Sequence, residues 1–233
     1  MSLDEPLMSI EADRAGSDKE AHLTYVFVMT YGRSGSTLVQ GLLNSIPGYL
    51  IRGENAAALT HLYAYHQTLL AESRRGNPVN RRKVTHPFFG MPDFPPEASL
   101  AAIRRLVLDT VLRPEPGTRV TGFKEIRWYH QELADYVDFL RQVFPGARFV
   151  VNTRNQADVL KSKWWAKKDN SAYLAGIEER ILAVAAGLGD SAYRVHYDDY
   201  VADPSVLHGL YDWLGEEFDL TSVRGTLSTR HSV

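Results

Sequence analysis

The segment Tyr25–Asn44, YVFVMTYGRSGSTLVQGLLN, constrains the fold more than any other part of the chain. Tyr25, Val26, Phe27, Val28 and Met29 form an unbroken run of β-branched, aromatic and apolar residues. That is the pattern of a strand buried on both faces of an α/β sheet. Gly32 and Gly35 permit a tight turn, and Leu38, Leu42 and Leu43 then return at helical spacing. A strand that turns directly into a helix presents backbone N–H groups at the helix N-terminus, where a phosphate or similar anion binds.

The loop departs from the nucleotide-triphosphate pattern G-x-x-x-x-G-K-(S/T). With Gly35 as the second glycine and Thr37 as the hydroxyl, the first glycine falls on Thr30 and the lysine on Ser36. A triphosphate site without that lysine loses its grip on the β- and γ-phosphates. The nearest cation is Arg33, inside the loop, a residue suited to charge-assisted hydrogen bonds with phosphate oxygens. The pattern suits a phosphate ligand better than ATP or GTP with magnesium. An ordinary β-turn-α junction with incidental glycines is the competing explanation of this segment alone.

Further apolar runs and helical patterns alternate along the chain. A turn followed by a short extended piece is expected within 47–55, extended segments at 119–126, 148–153 and 193–197, and helices at 56–72, 96–112, 129–144, 155–165, 171–188 and 204–214. Strands alternating with helices indicate βαβ units, and hence an α/β fold on a mainly parallel sheet. Residues 73–97, rich in Arg, Pro and aromatic side chains, read as a loop or lid. Residues 1–22 are expected to form a flexible arm before a single domain over 23–233.

Composition narrows the function classes. The chain has 233 residues, 23% of them charged, and a net charge of −2, which gives no case for general nucleic-acid binding. Local basic clusters occur at Arg74, Arg75, Arg81, Arg82 and Lys83, and at Lys161, Lys163, Lys167 and Lys168. There is no cysteine, so disulfides, thiolate metal sites and a cysteine nucleophile are excluded. The eight histidines show no H-E-x-x-H or similar spacing, and no metal is expected. No apolar run approaches the ~20 residues of a membrane span. The N-terminal 22 residues lack the apolar core of a signal peptide, so a cytoplasmic location is expected.

A second diagnostic stretch is FVVNTRNQADVLKSKWW, residues 149–165. A buried strand ends at Thr153-Arg154, and Ser162 follows the arginine by eight residues. Ligands of open α/β sheets bind at the carboxyl ends of the strands, which puts Arg154 at the edge that carries the first loop.

Together these motifs resemble the sulfotransferase superfamily that uses 3′-phosphoadenosine 5′-phosphosulfate (PAPS), over roughly residues 24–55 and 119–215. The nearest pattern is that of tyrosylprotein, carbohydrate and bacterial members. The resemblance implies a three-layer, P-loop-like sandwich in which Arg33-Ser34-Gly35-Ser36-Thr37 binds the 5′-phosphosulfate. Arg154 and Ser162 would bind the 3′-phosphate, and Tyr197, in Tyr197-Asp198-Asp199-Tyr200, would lie beside the adenine. Pro47…Arg52-Gly53-Glu54 is similar to the stretch that carries the family's catalytic glutamate, although one residue is missing between the Arg and the Gly. Glu54 is then the base, with Glu125 the alternative. Lys124 and Arg33 would stabilise charge as the phosphate leaves, and 3′-phosphoadenosine 5′-phosphate (PAP) is the implied product. A carboxylate within reach of an attacking hydroxyl can take its proton.

The resemblance weakens over 56–118, the region expected to bind the acceptor, with His86, Phe88 and Phe89 as candidate lining residues. The acceptor hydroxyl belongs to a small molecule, a carbohydrate or a peptide. A P-loop small-molecule kinase and a non-catalytic nucleotide-binding protein remain as alternatives.

Overall fold

A computed structural model describes residues 22–162, 165 and 170–228. Residues 1–21 of the expected arm lie outside the described residues, as do Lys163, Trp164, Lys167 and Lys168. Five strands, β1 (Thr24–Met29), β2 (Tyr49–Arg52), β3 (Val120–Glu125), β4 (Arg148–Thr153) and β5 (Ala192–His196), form one sheet. Their order is β2-β3-β1-β4-β5, and every pairing is parallel.

Parallel neighbours need crossovers, and the crossovers cover both faces with helices. The first half of the chain contributes α1 (Ser36–Asn44), α2 (Leu59–Ser73), α3 (Pro78–Arg81) and α4 (Pro96–Val107). Next come α5 (Leu133–Val143), α6 (Gln156–Leu160) and α7 (Ser171–Leu188). The chain then adds α8 (Tyr197–Ala202), α9 (His208–Leu214) and α10 (Leu220–Ser228).

The period-2 alternation of β1 decides which residues meet which layer. Phe27, Met29, Phe123 and Phe149 pack beneath α4, α5 and α7, whereas Val26, Val28 and Val150 pack against α1 and α9. The result is a three-layer α/β sandwich. Complete burial of a side chain such as Phe27 contributes about 2–3 kcal/mol, which is why β1 has no polar face. Gly122 is required by strand packing, since a Cβ there would lie 1.7 Å from the Val26 carbonyl oxygen.

Several boundaries differ from those expected, for local reasons. The helix expected from Tyr129 begins at Leu133. Ahead of it, Glu125 Oε1 accepts the N–H groups of Ile126 and Arg127, and the Trp128 indole donates to the Glu125 carbonyl. Those bonds fold 125–128 into a turn. The helix expected over 155–165 shortens to Gln156–Leu160, because Ser162 N–H bonds back to Val159 and Trp165 N–H to Ser162. Within 73–97, the Asn77 side chain caps the short α3, so this stretch is only partly loop. The helix α10 was not apparent from its sequence.

Candidate active site

The loop Thr30–Gly35 leaves the central strand β1 and is held from beneath by β4. Thr30 Oγ1 donates to the Asn152 carbonyl at 2.7 Å and lies 2.6 Å from Ser34 Oγ. The Asn152 amide donates to the Ser34 carbonyl at 2.9 Å, and the Trp165 indole donates to Gly32 O at 3.0 Å. Thr30, Ser34 and Asn152 are fully buried, so these bonds are shielded from water. The loop is therefore preformed. Arg33 and Gly35 both take left-handed backbone, at φ 68° and 80°. Gly35 begins α1, whose first turn has no side-chain cap, and Ser36 and Thr37 follow it. The ordinary unsatisfied N–H groups of a helix start thus face out from the sheet edge.

The end of β4 lies beside this loop. Arg154 Nη1 donates to the Arg33 carbonyl at 3.3 Å. Its guanidinium sits 4.2 Å from the Tyr197 ring centre. Arg154 N–H donates to the Tyr31 hydroxyl at 2.9 Å, and that hydroxyl also bonds the Glu178 carboxylate. Burial first, then the bond to Glu178, pushes the Tyr31 phenol up, so it stays protonated. Asp198 accepts the Asn155 N–H at 2.8 Å and lies 3.2 Å from His196 Nε2, which ties the start of α6 to the start of α8. Among the described residues, Arg154 Nε and Ser162 Oγ are buried and have no hydrogen-bond partner. A buried polar group left so costs about 1–3 kcal/mol.

On the other side of β1, parallel register sets Lys124 opposite Val28 and Glu125 opposite Met29. Successive residues of a strand point to opposite faces. Lys124 Nζ reaches Glu54 Oε1 at 2.6 Å. Glu125, only 4% exposed, receives four backbone N–H groups. Oε2 takes those of Asn55 and Ala57, and Oε1 those of Ile126 and Arg127. Ala56 and Ala57 are held in left-handed backbone, at φ 58° and 59°. Glu125 thus pins the loop that presents Glu54.

A profile of the Sulfotransferase family matches residues 26–220, a span that includes the loop, Glu54, Lys124, Arg154 and Ser162. The chain belongs to the sulfotransferase family. Solved structures with the same fold include the sulfotransferase domain of the Synechococcus PCC 7002 olefin synthase. That domain is 24% identical, with a TM-score of 0.56, and the match covers 90% of this chain and 79% of that one. The sulfotransferase domain from the curacin biosynthetic pathway is 15% identical, with a TM-score of 0.56 and coverage of 89% and 79%. Sulfotransferase STF1 from Mycobacterium tuberculosis is 16% identical, with a TM-score of 0.51 and coverage of 97% and 76%. No curated protein matches the sequence significantly.

In this sulfotransferase the sheet edge gathers Arg33, Gly35, Ser36, Thr37, Arg154, Ser162 and Tyr197 on one side, and Lys124 with Glu54 on the other. Ser34 is present but spends its hydroxyl inside the loop, on Thr30. Glu125, the alternative base, has both oxygens occupied by backbone donors. His86 and Phe88 pack on each other, with ring centres 6.2 Å apart. Phe88 and Phe89 are largely exposed, and the contacts of their segment run to Arg81 and α2. Sequence reasoning passed over Thr30, Tyr31, Asn152 and Glu178. The signal was available for two of them, since Thr30 and Asn152 are polar residues at the ends of otherwise apolar strands. Among the described residues no group of His, Asp and Glu side chains could hold a metal ion, and no helix is long and apolar enough to cross a membrane.

Proposed function

We propose that this sulfotransferase moves a sulfonyl group from PAPS to an acceptor hydroxyl by in-line displacement. The observation that carries the proposal is the pair of buried, unpartnered atoms Arg154 Nε and Ser162 Oγ beside the loop. A 3′-phosphate supplies acceptors for both. ATP has no such group, and Ser36 stands where a triphosphate site needs lysine. When bound, PAPS supplies the sulfonyl group and leaves as PAP.

Every other part is played by this chain. The N–H groups of Gly35, Ser36 and Thr37, with Arg33, hold the 5′-phosphate. Tyr197, already packed on Gly35 and Arg154, is the residue positioned to meet the adenine. Glu54 takes the proton of the acceptor hydroxyl as its oxygen bonds to sulfur and the sulfur–phosphate oxygen bond breaks. Lys124, released from Glu54, moves to the charge that builds on the departing oxygen. The occupied oxygens of Glu125 favour Glu54 as the base. The cysteine-free composition suits the reducing cytoplasm.

The test is binding followed by turnover. PAP should raise the melting temperature and ATP–Mg²⁺ should not; the reverse result would assign a kinase instead. In PAPS turnover, Arg154→Ala is expected to raise KM for PAPS strongly, and Glu54→Gln to lower kcat with little change in KM.

A further inference from the structure

The Tyr31 hydroxyl sits where the first loop, β4 and α7 meet, and its bonds run in one direction. It accepts the Arg154 N–H at 2.9 Å and gives its proton to Oε2 of the Glu178 carboxylate. The other oxygen of Glu178, Oε1, accepts the side-chain amide of Gln156, the first residue of α6, at 3.1 Å. Glu178 thereby grips the chain on both sides of the turn from β4 to α6, and Asp198 takes the N–H of Asn155 between them at 2.8 Å. Glu178 is itself well fixed, because Leu174 and Ile181, one helical turn to either side of it on α7, are wholly buried. We propose that Glu178, acting through the Tyr31 hydroxyl, is a positioning residue that sets the preference for a nucleotide bearing a 3′-phosphate. This role rests on the PAPS reading above and adds the group that holds Arg154 in place for it.

Satisfying the buried phenol does not require a carboxylate. Tyr31 is 1% exposed, but the Arg154 carbonyl lies 3.1 Å from its hydroxyl and could accept the proton without a second charge near the site. What the carboxylate adds is direction. As the stronger acceptor it draws the phenol proton toward α7, which leaves a lone pair of the hydroxyl for the Arg154 N–H and strengthens that bond. The backbone from which the Arg154 side chain starts is then held jointly by the loop, α7 and α8.

Anchoring bears on discrimination through what a ligand without a 3′-phosphate would meet. Among the described residues, Arg154 Nε and Ser162 Oγ are buried without a hydrogen-bond partner, so such a nucleotide leaves both unpaired. That penalty lasts only while Arg154 is held. An arginine free to swing into water finds partners there, and ordering it again on a phosphate costs about three- to tenfold in affinity. Loosening the anchor therefore weakens PAP and spares a ligand that never engages Arg154.

Calorimetry on the full chain compares PAP with adenosine 5′-monophosphate (AMP), which has the same adenine and 5′-phosphate but no 3′-phosphate. The ratio of the two dissociation constants reports on the 3′-phosphate alone. A loss of folded protein lowers the active fraction for both ligands and leaves the ratio unchanged. Wild type is expected to favour PAP. In Glu178→Ala and in Tyr31→Phe that preference should shrink about three- to tenfold, with KM for PAPS rising by the same factor and kcat holding within about twofold. Glu178→Gln, which keeps an oxygen for the Tyr31 hydroxyl, should fall between, and Glu179→Gln, at an exposed position of the same helix, should match wild type. Tyr31→Phe keeps the ring, so it carries the test if Glu178→Ala does not fold. Equal weakening of PAP and AMP, or a preference unchanged in the variants, would overturn the role of Glu178 while leaving the donor reading intact. A wild type that binds PAP no tighter than AMP would remove the 3′-phosphate reading and this role with it.

Discussion

Gly35→Ala is the most informative single substitution, because the fold supplies its own control. Gly35 sits at φ 80°, and a Cβ built there lies 2.1 Å and 2.4 Å from two atoms of the Tyr197 ring. Gly90 has nearly the same backbone, φ 86°, with nothing within 4 Å of its Cβ. Both alanines bear the left-handed cost of about 1–2 kcal/mol. Only Gly35→Ala must also drive the ring back by roughly 1.3 Å, from 2.1 Å to the 3.4 Å of ordinary contact, an overpacking cost of about 1–3 kcal/mol. The retreating ring takes with it the Arg154 guanidinium contact, about 0.5–1 kcal/mol at a part-exposed site.

We therefore expect Gly90→Ala to lose about 1–2 kcal/mol and Gly35→Ala about 2 kcal/mol more than that. For a chain of this size the extra loss corresponds to roughly 4–8 °C in Tm. Urea denaturation of the two variants in parallel measures the difference. Calorimetry with PAP should show at least a tenfold loss of affinity for Gly35→Ala and none for Gly90→Ala. Equal urea midpoints and equal PAP affinities would refute the claim that the loop, Tyr197 and Arg154 are packed as one unit.

Glu125→Ala should cost about 2–4 kcal/mol, since four N–H groups lose a charged acceptor while Ala56 and Ala57 relax. Because the released loop carries Glu54, kcat should fall at least tenfold with KM for PAPS unchanged, and Glu125→Gln, which keeps one acceptor oxygen, should fall between. A loss of stability with kcat intact would separate Glu125 from the placement of Glu54. In the loop, Thr30→Val strands the buried Ser34 hydroxyl, and Ser34→Ala should recover part of the loss, with a coupling of about 1 kcal/mol in a double-mutant cycle. Purely additive urea-denaturation energies would count against that bond. Finally, the bidentate bond from Arg119 holds the Glu216 carboxyl below its ordinary range, with a smaller contribution from the Tyr49 hydroxyl and against the opposing effect of burial. A depressed carboxyl stabilises the fold above its unfolded-state pKa and loses that stabilisation as pH falls through the folded value. Arg119 is half exposed, so about 1 kcal/mol is expected. Acid titration of stability should be shallower for Glu216→Gln than for wild type below about pH 5; parallel curves would remove the pair from the acid response.

The architecture was legible because parallel strands must be apolar on both faces. Runs such as Tyr25–Met29 and Phe149–Val151 admit few other environments, and the Gly-rich turn after the first of them marked the loop between β1 and α1. Segment ends were harder to read. The start of α5 depends on where Glu125 and Trp128 send their hydrogen bonds, and the stop of α6 on a turn at Ser162 linked to Gly32 through Trp165. The Trp165–Gly32 bond joins residues far apart in sequence, and the bonds around Glu125 are polar side-chain choices within three residues; apolar periodicity encodes neither.

The sequence by itself determined which groups are at hand: a Gly/Ser loop with Arg33 and without the triphosphate lysine, an arginine and a serine eight residues apart at a strand end, and a glutamate and a lysine between them. Spacing along a strand or a helix is a local quantity, so those motifs could be read one at a time. Only the tertiary structure decided how they are used. It turned the Ser34 hydroxyl inward, gave Glu125 four backbone donors, joined Lys124 to Glu54 across 70 residues, and left Arg154 Nε and Ser162 Oγ buried without partners. The physical reason is that side-chain roles follow from burial and from partners brought together by the sheet register, and neither exists before the chain has folded.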